Sequence, residues 1–332
     1  MIGRLISQFS GLRCMNSRWI NNLSMIFFCA YIFCAIRYQF YLLDYFEWGD
    51  ESETIVAAKM IASGSKLYSE IFNHHGPLVF IPGVILEMFG SFGVAGHRVF
   101  IAILQILALL SIYSSPLFES PSIRKLYTII AGTVMLLYLP DIYGHTYIYQ
   151  VMAGLLLIII LAQYTIPAIL IPDKIEFWRV VVGNFLISSL VFLSVAYSIL
   201  AIFLFLASLN KRFVGVTLIS AMGGAVVNIA LLALIGSIPG FIAFHIYLNS
   251  NILPLYNGAE MGLRLVKYSF SSITADFAQF SAVLLLLASI SRLGNLGSKN
   301  WYRAVFVLFG ILSLLTREAE FHKLPYYYAL LA

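Results

Sequence analysis

The chain of 332 residues is 61% hydrophobic and only 11% charged, with a mean hydropathy of +0.91. Soluble domains run near ~45–50% apolar and ~25% charged, so an ordinary water-soluble globule is excluded. At ~20 apolar residues per crossing helix the excess is enough for roughly ten spans. The formal charge of +5 comes from basic residues scattered in ones and twos between apolar runs, which excludes a nucleic-acid surface and reads as a topology signal. Cys14, Cys29 and Cys34 are too few and too scattered for a disulfide framework or a metal site.

In chain order, Arg4, Arg13 and Arg18 precede an apolar run at 23–43. It is too long for a signal-peptide core and has no evident cleavage site, so an uncleaved signal anchor with a cytoplasmic N-terminus is expected. Residues 44–75 then hold Asp44, Glu47, Asp50, Glu51, Glu53 and Glu70. Asp50 to Ser63 is predicted as an interfacial helix, with Asp50 at the N-cap, Glu53 three positions on and Gly64 at the stop. Ile55, Val56, Met60 and Ile61 would face the membrane, with Lys59 snorkelling. Further apolar runs follow at 78–95, 98–117, 126–140, 147–170, 180–195, 197–209, 213–238, 275–291 and 304–316. No internal repeat or low-complexity linker divides the chain, so residues 1–332 are read as a single all-α, polytopic membrane domain of about nine spans.

Charge decides which runs cross. If 78–95 does not fully cross, Arg4, Arg13, Arg18, Arg124, Lys125, Lys174, Arg179, Lys211, Arg212, Arg292, Lys299 and Arg303 fall inside, 12 of the 20 basic residues. Seven fall outside (Lys59, Lys66, Arg98, Arg264, Lys267, Arg317, Lys323) together with 12 of the 15 acidic residues, and Arg37 stays within the first span. If 78–95 does cross, the split becomes eight inside against 11 outside. Lys/Arg bias in short loops sets orientation, so 78–95 is expected to be interfacial or re-entrant, as Pro82, Gly83 and Glu87 within it also suggest. Residues 44–77, the turn at 140–150, the loop 239–274 and the tail from Arg317 then share the extracytoplasmic face. Arg37 within the span is either functional, as costly intramembrane charges often are, or simply paired with Asp44 about two helical turns away.

The string Trp48-Gly49-Asp50-Glu51, then Ala57-Ala58, Met60, Gly64, Leu67-Tyr68 and Asn73-His74-His75-Gly76-Pro77-Leu78 resembles the first extracytoplasmic loop of the GT-C class of membrane glycosyltransferases. The branch it is similar to contains protein O-mannosyltransferases and lipid A aminoarabinose transferases. The likeness covers about 30 residues in detail; the remaining spans match in hydropathy and order only.

The resemblance implies sugar transfer from a polyprenyl-phosphate donor to an acceptor at the outer face of a membrane, the bacterial cytoplasmic membrane being the expected one. A carboxylate must take the acceptor's proton, and cationic or hydrogen-bonding groups must stabilise the leaving phosphate. Asp50 matches the family's base position. Glu51 is assigned to orienting the acceptor or to holding a divalent cation if one is used. No other cofactor is implied, and membrane lipids are the expected surroundings. His74 and His75 are either a surface hydrogen-bonding pair or a phosphate site beside an incoming helix N-terminus. Asp141 is either the acidic residue of the family's second polar loop or part of a Pro-Asp turn. Arg317, His322 and Lys323 either neutralise the leaving group or anchor the last helix at the interface.

Two features depart from the family. The stretch Ser194-Val195-Ala196-Tyr197-Ser198 offers no cation where relatives place a Lys, and the chain stops at Ala332, so the expectation is either that a partner subunit completes the site or that this is a short or truncated member. The rival readings are a transporter or flippase of lipid-linked saccharides and a non-catalytic assembly subunit. The first predicts inverted repeats and mid-bilayer polar residues.

Overall fold

The computed structural model describes residues 2–46, 49–252, 277–293, 300–316 and 319–332. Every element among them is helical. The helices are α1 (Ile2–Leu43), α2 (Gly49–Ala62), α3 (Phe80–Phe89), α4 (Gly93–Tyr113), α5 (Pro121–Thr133), α6 (Tyr149–Ile160), α7 (Ile166–Leu170), α8 (Phe177–Ser189), α9 (Ser198–Ser208) and α10 (Val214–Ile235). The short α11 (Ile238–Gly240) runs on as wide helical turns over Phe241–Ile252. α12 (Phe277–Leu293), α13 (Trp301–Leu312) and α14 (Leu324–Ala329) complete the chain.

Five stretches are long and apolar enough to cross a membrane: Asn22–Leu43, Gly93–Tyr113, Pro121–Ile142, Tyr149–Leu170 and Val214–Ile235. Shorter apolar helices cover Pro77–Phe89, Phe177–Phe192, Val195–Ser208, Phe280–Ser289 and Trp301–Leu315. Together they fall on the ten apolar runs of the sequence, consistent with a multi-pass membrane protein. Tyr149–Leu170 is the central element, with 78% of its most apolar stretch buried. Small residues admit its neighbours: a methyl group on Gly154 would stand 2.2 Å from the Tyr328 ring, and one on Gly183 2.1 Å from the Tyr164 ring. Close approach at small residues is how helices pack where lipid removes the hydrophobic drive between them.

The end of α1 and the start of α4 lie side by side, because Arg98 donates to the carbonyls of Leu42 and Leu43 at 3.3 and 3.1 Å. The chain between them therefore makes no net crossing of the bundle. Pro77–Phe89, at ~1.5 Å per residue, reaches about 20 Å, short of a ~30 Å hydrocarbon core. α2 packs on α3 at small residues, with Ala58 fully buried and Gly83 beside it. The structure shifts three local readings. α2 begins at Gly49, one residue early, so Asp50 lies inside the helix. Glu53 reaches Asn73 instead of closing a capping box. Ile55 and Ile61 turn into the core while Val56 and Met60 stay exposed. Gly64 does end the helix, at φ +104°, a conformation costly for any residue with a Cβ. Arg37 and Asp44 form no ion pair.

Candidate functional site

The polar end of the bundle is built around Glu51, which is fully buried in the first turn of α2. Its Oε1 accepts from Arg98 Nε at 2.9 Å and its Oε2 from Arg98 Nη2 at 2.6 Å, a bidentate pair that planar guanidinium and carboxylate groups favour. The backbone N–H of Tyr147 adds a third bond to Oε1 at 2.7 Å. Arg98 is 1% exposed and also donates to the carbonyls of Tyr45 at 2.5 Å and Phe46 at 3.0 Å. A cation placed on the last carbonyls of α1 satisfies groups that lack a helical partner and offsets the helix dipole. Glu51 and Arg98 thus pin α1, α2, α4 and the 143–148 turn at one point.

Asp50, one residue away, is half-buried and its side chain enters no hydrogen bond or ion pair with the described residues. The two adjacent carboxylates are therefore unlike: one is committed to the fold and the other is left open. Glu53 is tied by Asn73 Nδ2 at 2.7 Å, and Asn73 Oδ1 accepts from the His75 backbone N–H at 2.8 Å. This chain links the acidic helix to the histidine loop. Burial pushes the Glu53 carboxyl above its usual range, the Asp50 charge adds to the rise, and the Asn73 bond opposes it.

His74 and His75 lie on a strap, residues 64–76, pinned at both ends. Leu67 exchanges backbone bonds with Ile235 and Ser237, and the Gly76 N–H donates to Leu193 O at 3.1 Å. Gly76 is obligatory there, since a Cβ would meet the Phe192 carbonyl oxygen at 2.0 Å. The His75 ring is 4.8 Å from Tyr149 and 4.3 Å from His74, and Tyr149 faces Tyr197 at 6.2 Å. The His74 carbonyl accepts from Asn249 Nδ2 at 2.8 Å and lies 3.0 Å from His245 Nδ1. Burial holds the His245 imidazole below its usual pKa, against the pull of the carbonyls of His74 and Val191.

Asp141 is exposed in the turn Leu139–Ile142, near Tyr38 of α1. The turn then reverses at Tyr143, whose φ is +68°. His145 follows, 1% exposed, its Nε2 3.0 Å from the Phe46 carbonyl and its ring 5.2 Å from Tyr45. Burial, with the Arg98 charge adding, lowers its pKa to about 4. The tail closes on the same turn, as Tyr328 Oη donates to Gly144 O at 2.7 Å. Lys323 is 7% exposed and 3.4 Å from Glu320 Oε1, while Tyr327 Oη donates to Glu320 Oε2 at 2.7 Å. The His322 ring lies against Phe321, centroids 4.1 Å apart and tilted by 54°. Arg317 lies outside the described residues.

The structure thus brings Asp50, Glu51, His74, His75, Asp141, His322 and Lys323 to one end of the bundle, around the start of α6. It ties them through residues that were not among the candidate site residues of the sequence: Arg98, Asn73, His145, Tyr147 and His245. Arg98 had a visible signal, a cation at the mouth of an apolar run. The described residues hold no group of three or more His, Cys, Asp or Glu side chains that could hold a metal ion.

An apolar groove of about 590 Å³ runs between α1, α4 and α5. Phe28, Leu110 and Tyr113 line one end, and Leu43 and Val99, neighbours of the Glu51–Arg98 pair, line the other. No family model matches the chain, and neither a curated protein nor a solved structure matches it.

Proposed function

We propose that the chain is a membrane glycosyltransferase that moves a sugar from a polyprenyl-phosphate donor to a hydroxyl acceptor at the extracytoplasmic face, with a GT-C-like arrangement of its spans. One observation carries the reading: an apolar groove between spans ends at Leu43 and Val99, neighbours of the Glu51–Arg98 pair, and Asp50, the residue before Glu51, engages no side chain among the described residues. A groove along α4 from Tyr113 to Val99 is roughly 20 Å long at ~1.5 Å per residue, a length suited to an isoprenoid tail. In this reading Asp50 accepts the proton of the acceptor hydroxyl. Glu51, saturated by Arg98 and Tyr147, holds the helix that presents Asp50, and neither binds acceptor nor ligates a metal. His74, His75, His322 and Lys323 stand where the departing phosphate needs hydrogen-bond donors and positive charge. α2 and the Pro77–Phe89 helix lie at the interface.

The test is transfer of a labelled sugar from synthetic polyprenyl-phosphate donors by the full chain in nanodiscs. Transfer by the wild type and none by Asp50→Asn supports the reading; transfer at the wild-type rate by Asp50→Asn removes Asp50 from catalysis. A second reading, a non-catalytic assembly subunit, draws on the complete engagement of Glu51 in the fold. It predicts no turnover with any donor and co-purification of a second chain.

A further inference from the structure

At the end of the bundle away from Glu51, Arg303 lies in the first turn of α13 and is 4% exposed. Its Nε donates to the Ala207 carbonyl at 2.6 Å. Asn300, beside it, donates to Ile169 O at 3.2 Å. The start of α13 and the ends of α7 and α9 therefore meet here. Arg303 Nη2 is buried and has no hydrogen-bond partner, and no carboxylate pairs with Arg303 among the described residues. Residues 294–299 read Gly-Asn-Leu-Gly-Ser-Lys and contain no acid.

A buried charge costs free energy unless it is paired. At the N-terminal turn of a helix a cation also opposes the macrodipole. The Ala207 carbonyl, in the last turn of α9, takes only one of the five N–H groups of the guanidinium. The remaining N–H groups suit an anion with two acceptor oxygens. Trp301 and Tyr302 are 51% and 45% exposed next to Arg303, and such rings sit at headgroup level. The adjoining turns carry Lys174, Lys211 and Arg212. Of the acids nearby in the chain, Glu176 is held by Arg179 at 2.8 Å and Asp173 is the remaining one.

We propose that Arg303 binds the phosphodiester of an anionic phospholipid in the leaflet at this end of the bundle. The site is separate from the transfer reaction and does not rest on it. Inorganic phosphate shares the chemistry, but the depth set by Trp301 and Tyr302 favours a headgroup.

The experiment uses the full chain in phosphatidylcholine nanodiscs with and without phosphatidylglycerol, reading the thermal midpoint and the lipid retained in native mass spectrometry. Phosphatidylglycerol is expected to raise the midpoint and to stay bound. Arg303→Gln should abolish the rise and weaken retention about tenfold, the loss of a charge-assisted hydrogen bond. Arg303→Lys, which keeps the charge for folding, should lose most of the preference, since an ammonium does not grip two oxygens in a plane. The double variant Lys211→Gln/Arg212→Gln should keep both effects. An equal rise in wild type and Arg303→Gln, full retention by Arg303→Lys, or loss confined to the double variant would overturn the assignment. A matching rise with inorganic phosphate in phosphatidylcholine alone would make the ligand a free anion and overturn the lipid.

Discussion

Glu51 and Arg98, 47 positions apart, close a two-point ion pair in which both side chains are 1% exposed. Its geometry says what each partner is for. Arg98 serves five carbonyl or carboxylate groups from the end of α1, the link after it and α2 at once, and Glu51 has no oxygen without a donor. Breaking a buried pair from one side strands the other charge. Glu51→Gln and Arg98→Gln should each lower stability by about 3–5 kcal/mol. The double variant should lose less than the sum, because it leaves no stranded charge. Thermal unfolding of the four proteins in one detergent checks this; additive losses would show that the two residues act separately.

Asp50 gives the opposite expectation. Its side chain engages no partner among the described residues, so Asp50→Asn should leave the stability within about 0.5 kcal/mol of wild type while sugar transfer falls by two orders of magnitude or more, the usual worth of a general base, about 10²–10⁴-fold. Measuring both on one preparation separates a chemical role from a structural one.

His145 makes stability depend on pH. Its folded pKa is about 4 against 6.5 for the free side chain, so between these values the unfolded chain binds the proton first. The stability it contributes is complete above pH 6.5 and is lost as the pH falls toward 4, about 3 kcal/mol over the window. His245 is lowered in the same direction. His145→Gln should therefore flatten the midpoint between pH 7 and pH 5 without removing all of the slope. An unchanged slope would place the dependence elsewhere.

Gly76 is the contact between the histidine strap and the tip of the α8–α9 hairpin. A methyl group there would overlap the Phe192 carbonyl and part the Gly76 bond to Leu193. Gly76→Ala should cost about 1–3 kcal/mol, in the range of overpacking a tight site. The strap should also become more accessible, read as faster hydrogen exchange over residues 64–76 while α4 and α6 keep their protection.

Much of the fold was legible because hydropathy is a local property. Among the described residues the ten apolar runs fall on helices, with Pro77–Phe89 one of the shorter ones. Details that depend on neighbours were not legible. The spacing of Asp50 and Glu53 suits a capping box, but Asn73, twenty residues on, outcompetes the helix end for Glu53. Ile55 and Ile61 carry no mark that separates a core face from a lipid face, because both environments are apolar.

The amino-acid sequence by itself determined that the chain carries several helices long and apolar enough to cross a membrane, where those helices fall, and that its acidic residues crowd one loop, since each follows from composition within a window. Only the tertiary structure decided that Glu51 is spent on Arg98 while Asp50 is not, and that Arg303 is buried with Nη2 unmet. Ion pairing and burial are set by residues far apart in the chain that the fold brings within hydrogen-bond reach, and no local pattern encodes which of two adjacent carboxylates will be the one that is held.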